Sequence, residues 1–313
     1  MKHILITCCA AALSLPCFAQ KTDKALARVR YTFTHINDTT ARDKPHKENM
    51  LLITGNNASV YTSYDKLNQA LNTQKQLTEQ IKNQSGNSNM TINIKSEMKA
   101  TVTQEDYFYF ADEHKLITKE RLFNNYLVEE QAPEIDWKIL KDTASFSGIH
   151  CQKAITHFKG RNWIAWFAPE IPFQSGPWKL NGLPGLIVEA YDEKKDVNFQ
   201  FAGMEKVTDG ETNGDDSKTT VQGTTVVIGG IDSGTPYLGS EIKLPTNAIK
   251  TTRKELDKLK DARAKDPQGF MQAQMAANGI QGSFKTSTAS RPAGQTVVKK
   301  AETNNPIELS EKE

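Results

Sequence analysis

Cys151 directly follows His150. A thiol beside an imidazole could yield a nucleophilic thiolate, because a thiol needs an adjacent base or positive field to ionise. The spacing argues against that chemistry. Neighbours on a strand point to opposite faces, and the next histidine on the Cys151 face, His157, lies roughly 20 Å along an extended chain. Ile149 and Ile155 share that face, so Cys151 reads as a buried structural thiol.

Metal chemistry would have to draw on His35, His46, His114, His150 and His157. None stands at HxH, HxxxH or HExxH spacing, and one cysteine cannot supply a thiolate pair. No metal and no cofactor is expected. Carboxylates are more numerous, with Glu129, Glu130, Glu134, Asp136, Glu170, Glu189 and Asp192 grouped in one region. Paired acids hydrolyse only at a defined separation inside a cleft, so no catalytic residue is assigned and the cluster stands as the basis of an alternative, hydrolase-like or peptidase-like reading.

Binding is the favoured class. Trp137, Trp163, Trp166 and Trp178 are the only four tryptophans and fall within 42 residues. Trp163 and Trp166 differ by three positions, so on one strand one ring faces the core and the other the surface. Indole joins a large apolar area to one N–H, which suits a peptide, a lipid chain, another small molecule or a partner protein. The candidate ligand or partner contacts are therefore Trp163, Trp166 and Trp178, with Arg161 and Lys179 able to meet an anionic group. The same rings could instead pack beneath turns.

These residues sit in a chain that begins like a secretory leader. Lys2 precedes the apolar run 4–15 and a short exit ending at Ala19, the layout of a signal peptide, 1–19, cleaved after Ala19. About a dozen apolar residues are too few to span a bilayer. Cys8, Cys9 and Cys17 would leave with the leader, so about 290 mature residues would hold only Cys151 and no internal disulfide. Without Lys2, 38 basic residues face 37 acidic ones, a net of +1, and no nucleic-acid partner is implied.

Apolar alternation places strands over 25–36, 50–54, 59–64, 91–95, 106–110, 115–119, 125–129, 148–158, 163–168, 186–192 and 197–203. Lys159 to Asn162 forms a hairpin turn. Leu67, Leu71, Leu77 and Ile81 repeat at helical spacing over 65–84, a peripheral helical insertion. Residues 247–278 have helical composition divided by Pro267. The expected fold is mainly β, α+β overall: an antiparallel curved sheet or incomplete barrel with that insertion and C-terminal helices. The domain plan is one β domain over 20–245, a helical segment over 246–280 packed on it, and a disordered tail over 281–313. The Gly/Thr-rich segment 209–240 reads as an extended loop or long hairpin.

Residues 176–185 hold Gly176, Pro177, Gly182, Pro184 and Gly185 immediately before a strand, which implies that the connection over 169–185 follows a tight path at the sheet margin. Gly182, Leu183, Pro184, Gly185, Leu186 and Ile187 spell GLPGLI, and with Gly176-Pro177-Trp178-Lys179, Cys151-Gln152-Lys153-Ala154, Gly160-Arg161, Ala165-Trp166-Phe167, Glu170-Ile171-Pro172 and Asn305-Pro306-Ile307-Glu308 the chain resembles the GLPGLI family of secreted Bacteroidetes proteins of uncharacterised function. The resemblance implies an exported protein, periplasmic or outer-membrane-associated and not transmembrane, whose partner could be a TonB-dependent transporter. The resulting expectation is a non-catalytic binding or accessory protein for a small ligand, a lipid or an envelope partner, with a structural interaction module as a further alternative.

Overall fold

The computed structural model describes residues 22–84, 102–208, 218–221, 224–227, 239–279 and 303–311. In chain order the strands are β1 (Asp23–Lys24), β2 (Ala27–His35), β3 (His46–Thr54), β4 (Ala58–Ser63), β5 (Asp106–Phe110), β6 (Lys115–Arg121), β7 (Asn125–Gln131), β8 (Lys138–Phe146), β9 (Ile149–Phe158), β10 (Arg161–Ala168), β11 (Leu186–Asp192), β12 (Val197–Lys206), β13 (Lys218–Val221), β14 (Thr224–Val227), β15 (Glu241–Ile242) and β16 (Ile249–Thr251). The helices are α1 (Tyr64–Gln84), α2 (Arg253–Lys265) and α3 (Pro267–Ala277).

Twelve of the strands make one sheet, in the order β16-β7-β6-β5-β4-β3-β2-β12-β11-β10-β9-β8. Every pairing in it is antiparallel except β16 on β7. The end strands β16 and β8 do not meet, so the sheet stays open rather than closing into a barrel. The expected mainly β fold with a few helices is therefore observed.

Alternation along β2 shows how the sheet is buried. Val29, Tyr31 and Phe33 belong to a core that also takes Met50 and Leu52 of β3, Tyr61 of β4, Trp163 and Ala165 of β10, and Phe199 of β12. We call this the inner face. A second core on the outer face gathers Leu51, Ile53, Val60, Phe108, Ile117 and Leu127, with Leu67 of α1 and the segment at Ile242 and Leu244 packed over it. Because both faces are covered, Met50 to Thr54 is buried at every position and reads as an unbroken apolar run.

Beneath α1 the outer face encloses an ion network. Asp106 of β5 accepts from Thr62 Oγ1 at 2.5 Å and from Lys66 Nζ at 2.6 Å, and faces Lys119 Nζ at 3.3 Å. Burial alone would raise its carboxyl pKa. The charges of Lys66 and Lys119, with the hydrogen bonds from Lys66 and Thr62, outweigh burial and bring it down to about 2. A depressed carboxyl contributes stability above its unfolded value of 3.8 and loses it as pH falls toward 2. About 2 kcal/mol should disappear over that window. Urea unfolding at pH 5 and pH 2.5 would measure the loss, and Asp106→Asn should remove this component of the acid dependence.

The 169–185 connection does not skirt the sheet margin. It crosses the inner face and buries Trp178, Leu180 and Leu183 there. Its path is held by Ile187 N donating to Ser175 O at 3.0 Å, Tyr31 Oη donating to Ile187 O at 2.7 Å, and Trp137 Nε1 donating to Asn181 O at 2.8 Å. Trp178 lies 5.8 Å from Phe158 and 5.6 Å from Trp163, and Trp163 stacks on Phe199 at 6.2 Å. Loops are usually superficial; this one supplies a share of the core.

The carboxy-terminal expectations divide. Pro267 does separate two helices: α2 opens on a Thr252–Glu255 capping box, and α3 opens at Pro267 with Asp266 as its cap. Leu256 packs on Tyr126 and Val128 of β7. The expected disordered tail is corrected in part, because residues 303–311 form a strap along β9, β10 and the chain after β2. Asn305 is buried, and its Nδ2 donates to Ile36 O at 2.7 Å while Leu309 N donates to Lys159 O at 3.0 Å. A polar strap can be ordered because each of these groups finds a partner. The strand expected over 91–95 and most of the 209–240 segment lie outside the described residues.

Candidate functional site

Three of these units border one cavity: the loop from 169 to 185, helix α2 and the strap. It lies over the inner face of β5, β6 and β7 and encloses about 550 Å³. Its floor is Tyr107, Leu116 and Thr118, and its walls carry Glu105, Glu120, Glu130 and Glu308 together with Lys159, Lys179, Arg253 and Lys260. The strand register explains the floor. Tyr107 pairs with Thr118 across β5 and β6, and Leu116 with Glu130 across β6 and β7, so alternate residues of three strands face the same space.

The charges are mostly engaged with one another. Glu120 meets Arg253 Nη1 at 2.5 Å and also Lys260. Arg253 Nε lies 3.9 Å from Glu130. On the opposite side Glu308 of the strap takes Lys179 Nζ at 2.5 Å and Lys159 Nζ at 3.6 Å. Lys179 Nζ also stands 5.6 Å from the centre of the Tyr107 ring. Burial, then the carboxylates of Glu105, Glu308 and Glu120, push the Tyr107 phenol well above its usual value, so its hydroxyl stays protonated. Two polar groups stand apart: Thr118 Oγ1 is buried with no hydrogen-bond partner, and Glu105 has no cation or hydrogen-bond partner among the described residues.

Of the five sequence-derived contacts, Lys179 reaches this cavity. Trp163 and Trp178 do not offer a surface: they are 1% and 6% exposed and pack in the inner core. Arg161, 4% exposed, is likewise internal. It donates to Asp192 Oδ2 at 2.8 Å, Asn305 Oδ1 at 2.8 Å, Pro306 O at 2.6 Å and Ile307 O at 2.8 Å, so its guanidinium clamps the strap and is committed. Trp166 faces outward, half-buried beside Phe146 at 5.5 Å with Lys153 Nζ 5.9 Å from its ring. The cavity and Trp166 are on opposite faces and cannot serve one ligand.

The named carboxylates scatter too. Glu130 lines the cavity, Asp192 is Arg161's partner, and Glu129 pairs with Lys115 at 3.1 Å. Sequence reasoning missed Glu105, Tyr107, Thr118, Glu120, Lys159, Arg253, Lys260 and Glu308. The usable signal was the polar pair Thr118 and Glu120, two residues apart on a strand whose same-face neighbour is Leu116.

Cys151 is buried, and burial, with the Glu189 charge behind it, pushes its thiol up to about 11. His150 is exposed, and His157 is engaged by Asn162 and Glu311. Cys151 should therefore resist a thiol reagent in the folded protein and label once denaturant is added; rapid labelling without denaturant would revive the nucleophile. Among the described residues there is no group of three His, Cys, Asp or Glu side chains able to hold a metal, and no helix long and apolar enough to cross a membrane.

Residues 29–189 match the model of a family described as a protein of unknown function, Porph_ging. No curated protein matches the chain. Among solved structures, two of PNGF-II, in space groups P21 and C2, align with TM-scores of 0.46 and 0.47 at 10% identity. Each alignment covers 75% of this chain and 32% of the PNGF-II chain, so the chain spans about a third of the length of those neighbours.

Proposed function

We propose that this chain, which belongs to the Porph_ging family of proteins of unknown function, is a non-catalytic binding or accessory protein of the cell envelope that holds a small polar, charge-bearing ligand in the cavity over β5, β6 and β7. The proposal includes export to a periplasmic or outer-membrane-associated place, supported by the leader-like amino terminus and the GLPGLI resemblance.

One observation carries the reading: the cavity is walled by four carboxylates and four cations. An acyl chain seated there would strip water from those charges and return no hydrogen bond. The inner face, where an open sheet could have sheltered a lipid, is filled by Trp178, Leu180 and Leu183. A ligand bearing its own charges can exchange with the wall's ion pairs and leave neither sign uncompensated. Against a hydrolase, Glu120, Glu130 and Glu308 each face a cation, whereas a general acid must hold its proton.

Native mass spectrometry of gently purified protein, with the denatured chain as mass reference, tests this. A small polar molecule released on denaturation is expected. Retention of an acyl lipid would overturn the reading.

A further inference from the structure

Within the cavity the charges are unevenly compensated. Glu120 has Arg253 and Lys260, Glu130 has Arg253, and Glu308 has Lys179 and Lys159. Glu105 alone among the four carboxylates has no cation among the described residues. It is half-buried immediately before β5, two residues before Tyr107 and lining the same cavity, and it is the foremost charge acting on the Tyr107 phenol. Tyr107 is in turn the cross-strand partner of Thr118.

Thr118 supplies the independent observation. It is 1% exposed, lines the cavity, and its hydroxyl has no hydrogen-bond partner. A buried hydroxyl left in that state is less favourable than a partnered one, so a donor brought by a ligand would satisfy it. Carboxylate, phenol oxygen and threonine hydroxyl are all acceptors, and they share one strand-pair surface. Three acceptors match the three N–H donors of a primary ammonium. One carboxylate among neutral hydroxyls is a poor set for a transition metal, which wants imidazole or thiolate.

We infer that Glu105, Tyr107 and Thr118 form a cation subsite that takes the primary ammonium end of the cavity's ligand, leaving its anionic end to the lysine side at Lys179 and Lys159. This rests on the polar-ligand reading above and gives that ligand a direction: amine toward β5 and β6, acid toward the strap. The class is a small zwitterion such as a short peptide or an amino acid.

The test is calorimetric titration of the full chain with triglycine, triglycinamide and N-acetyltriglycine, repeated on Glu105→Gln and Thr118→Val. Triglycine should bind the parent protein at least tenfold tighter than N-acetyltriglycine. Glu105→Gln should weaken triglycine and triglycinamide at least tenfold and leave N-acetyltriglycine within twofold. Thr118→Val, which keeps shape and loses the unpartnered hydroxyl, should weaken the two amine-bearing probes alone, at a melting temperature no lower than the parent's. If blocking the amine has no effect and Glu105→Gln changes nothing, the subsite is wrong while the cavity reading stands. If none of the three probes binds at millimolar concentration, both fall.

Discussion

Replacing Gly185 by valine should destabilise the protein by about 3–5 kcal/mol, the combined order of backbone strain and overpacking. Gly185 has φ +153°, and a Cβ there would lie 2.2 Å from Ala168 O and 2.7 Å from Ala168 C. Those atoms are backbone at the end of β10, so neither can rotate away. The chain must pass this point to bring Leu186 into β11 with its N–H donating to Ile171 O at 2.9 Å, so relief would come only by lifting the loop and exposing Trp178, Leu180 and Leu183. Gly182 is the internal control. Its φ is +86° but nothing stands within 4 Å of a Cβ, so Gly182→Ala should cost only about 1–2 kcal/mol of conformational strain. Urea unfolding of the two variants compares them. A Gly185→Val protein as stable as its parent would remove the argument that this glycine fixes the loop.

Arg161→Ala should cost about 3–5 kcal/mol, the usual penalty when one partner of a buried ion pair is removed and the other remains. Asp192 would keep its backbone hydrogen bond from Val197 N at 2.8 Å but lose its cation in a site only 3% exposed. Three strap acceptors, Asn305 Oδ1, Pro306 O and Ile307 O, would lose their donor. The loss has a second readout: limited proteolysis should cut residues 303–311 in the variant and spare them in the parent. Arg161→Lys should recover part of the stability, because an ammonium can pair with Asp192 yet cannot reach all four acceptors in the guanidinium's fork. A destabilisation below about 1 kcal/mol, the scale of a surface pair, would mean that the clamp contributes little.

How much of this was legible depends on where the determining contacts lie. Local patterns carried β2, where Val29, Tyr31 and Phe33 alternate with polar residues, the α1 stripe around Leu67, and the break at Pro267. The β8 strand was missed because it is a largely exposed edge whose residues show no apolar alternation, and β16 because three residues, Ile249 to Thr251, sit at the head of a helix-like composition. The strap was read as tail because its order comes from Arg161 and Lys159, more than 140 residues earlier. The cavity was illegible for the same reason: Glu105, Thr118, Lys179, Arg253 and Glu308 come from five separated stretches. The tryptophans misled because aromatic clustering has the same sequence signature whether the rings fill a core or line a ligand site; here Trp163 and Trp178 fill the core.

Binding is proposed to take place in the charged cavity over β5, β6 and β7 rather than on the outer aromatic face. Hydrogen–deuterium exchange of the full chain with and without saturating triglycine distinguishes the two. The expected result is protection confined to the segments that border the cavity, around 105–120, 130–133, 159, 179, 253–260 and 308. Protection centred instead on the outer face of β9 to β11, around Trp166 and Tyr191, with the cavity segments unchanged, would contradict it.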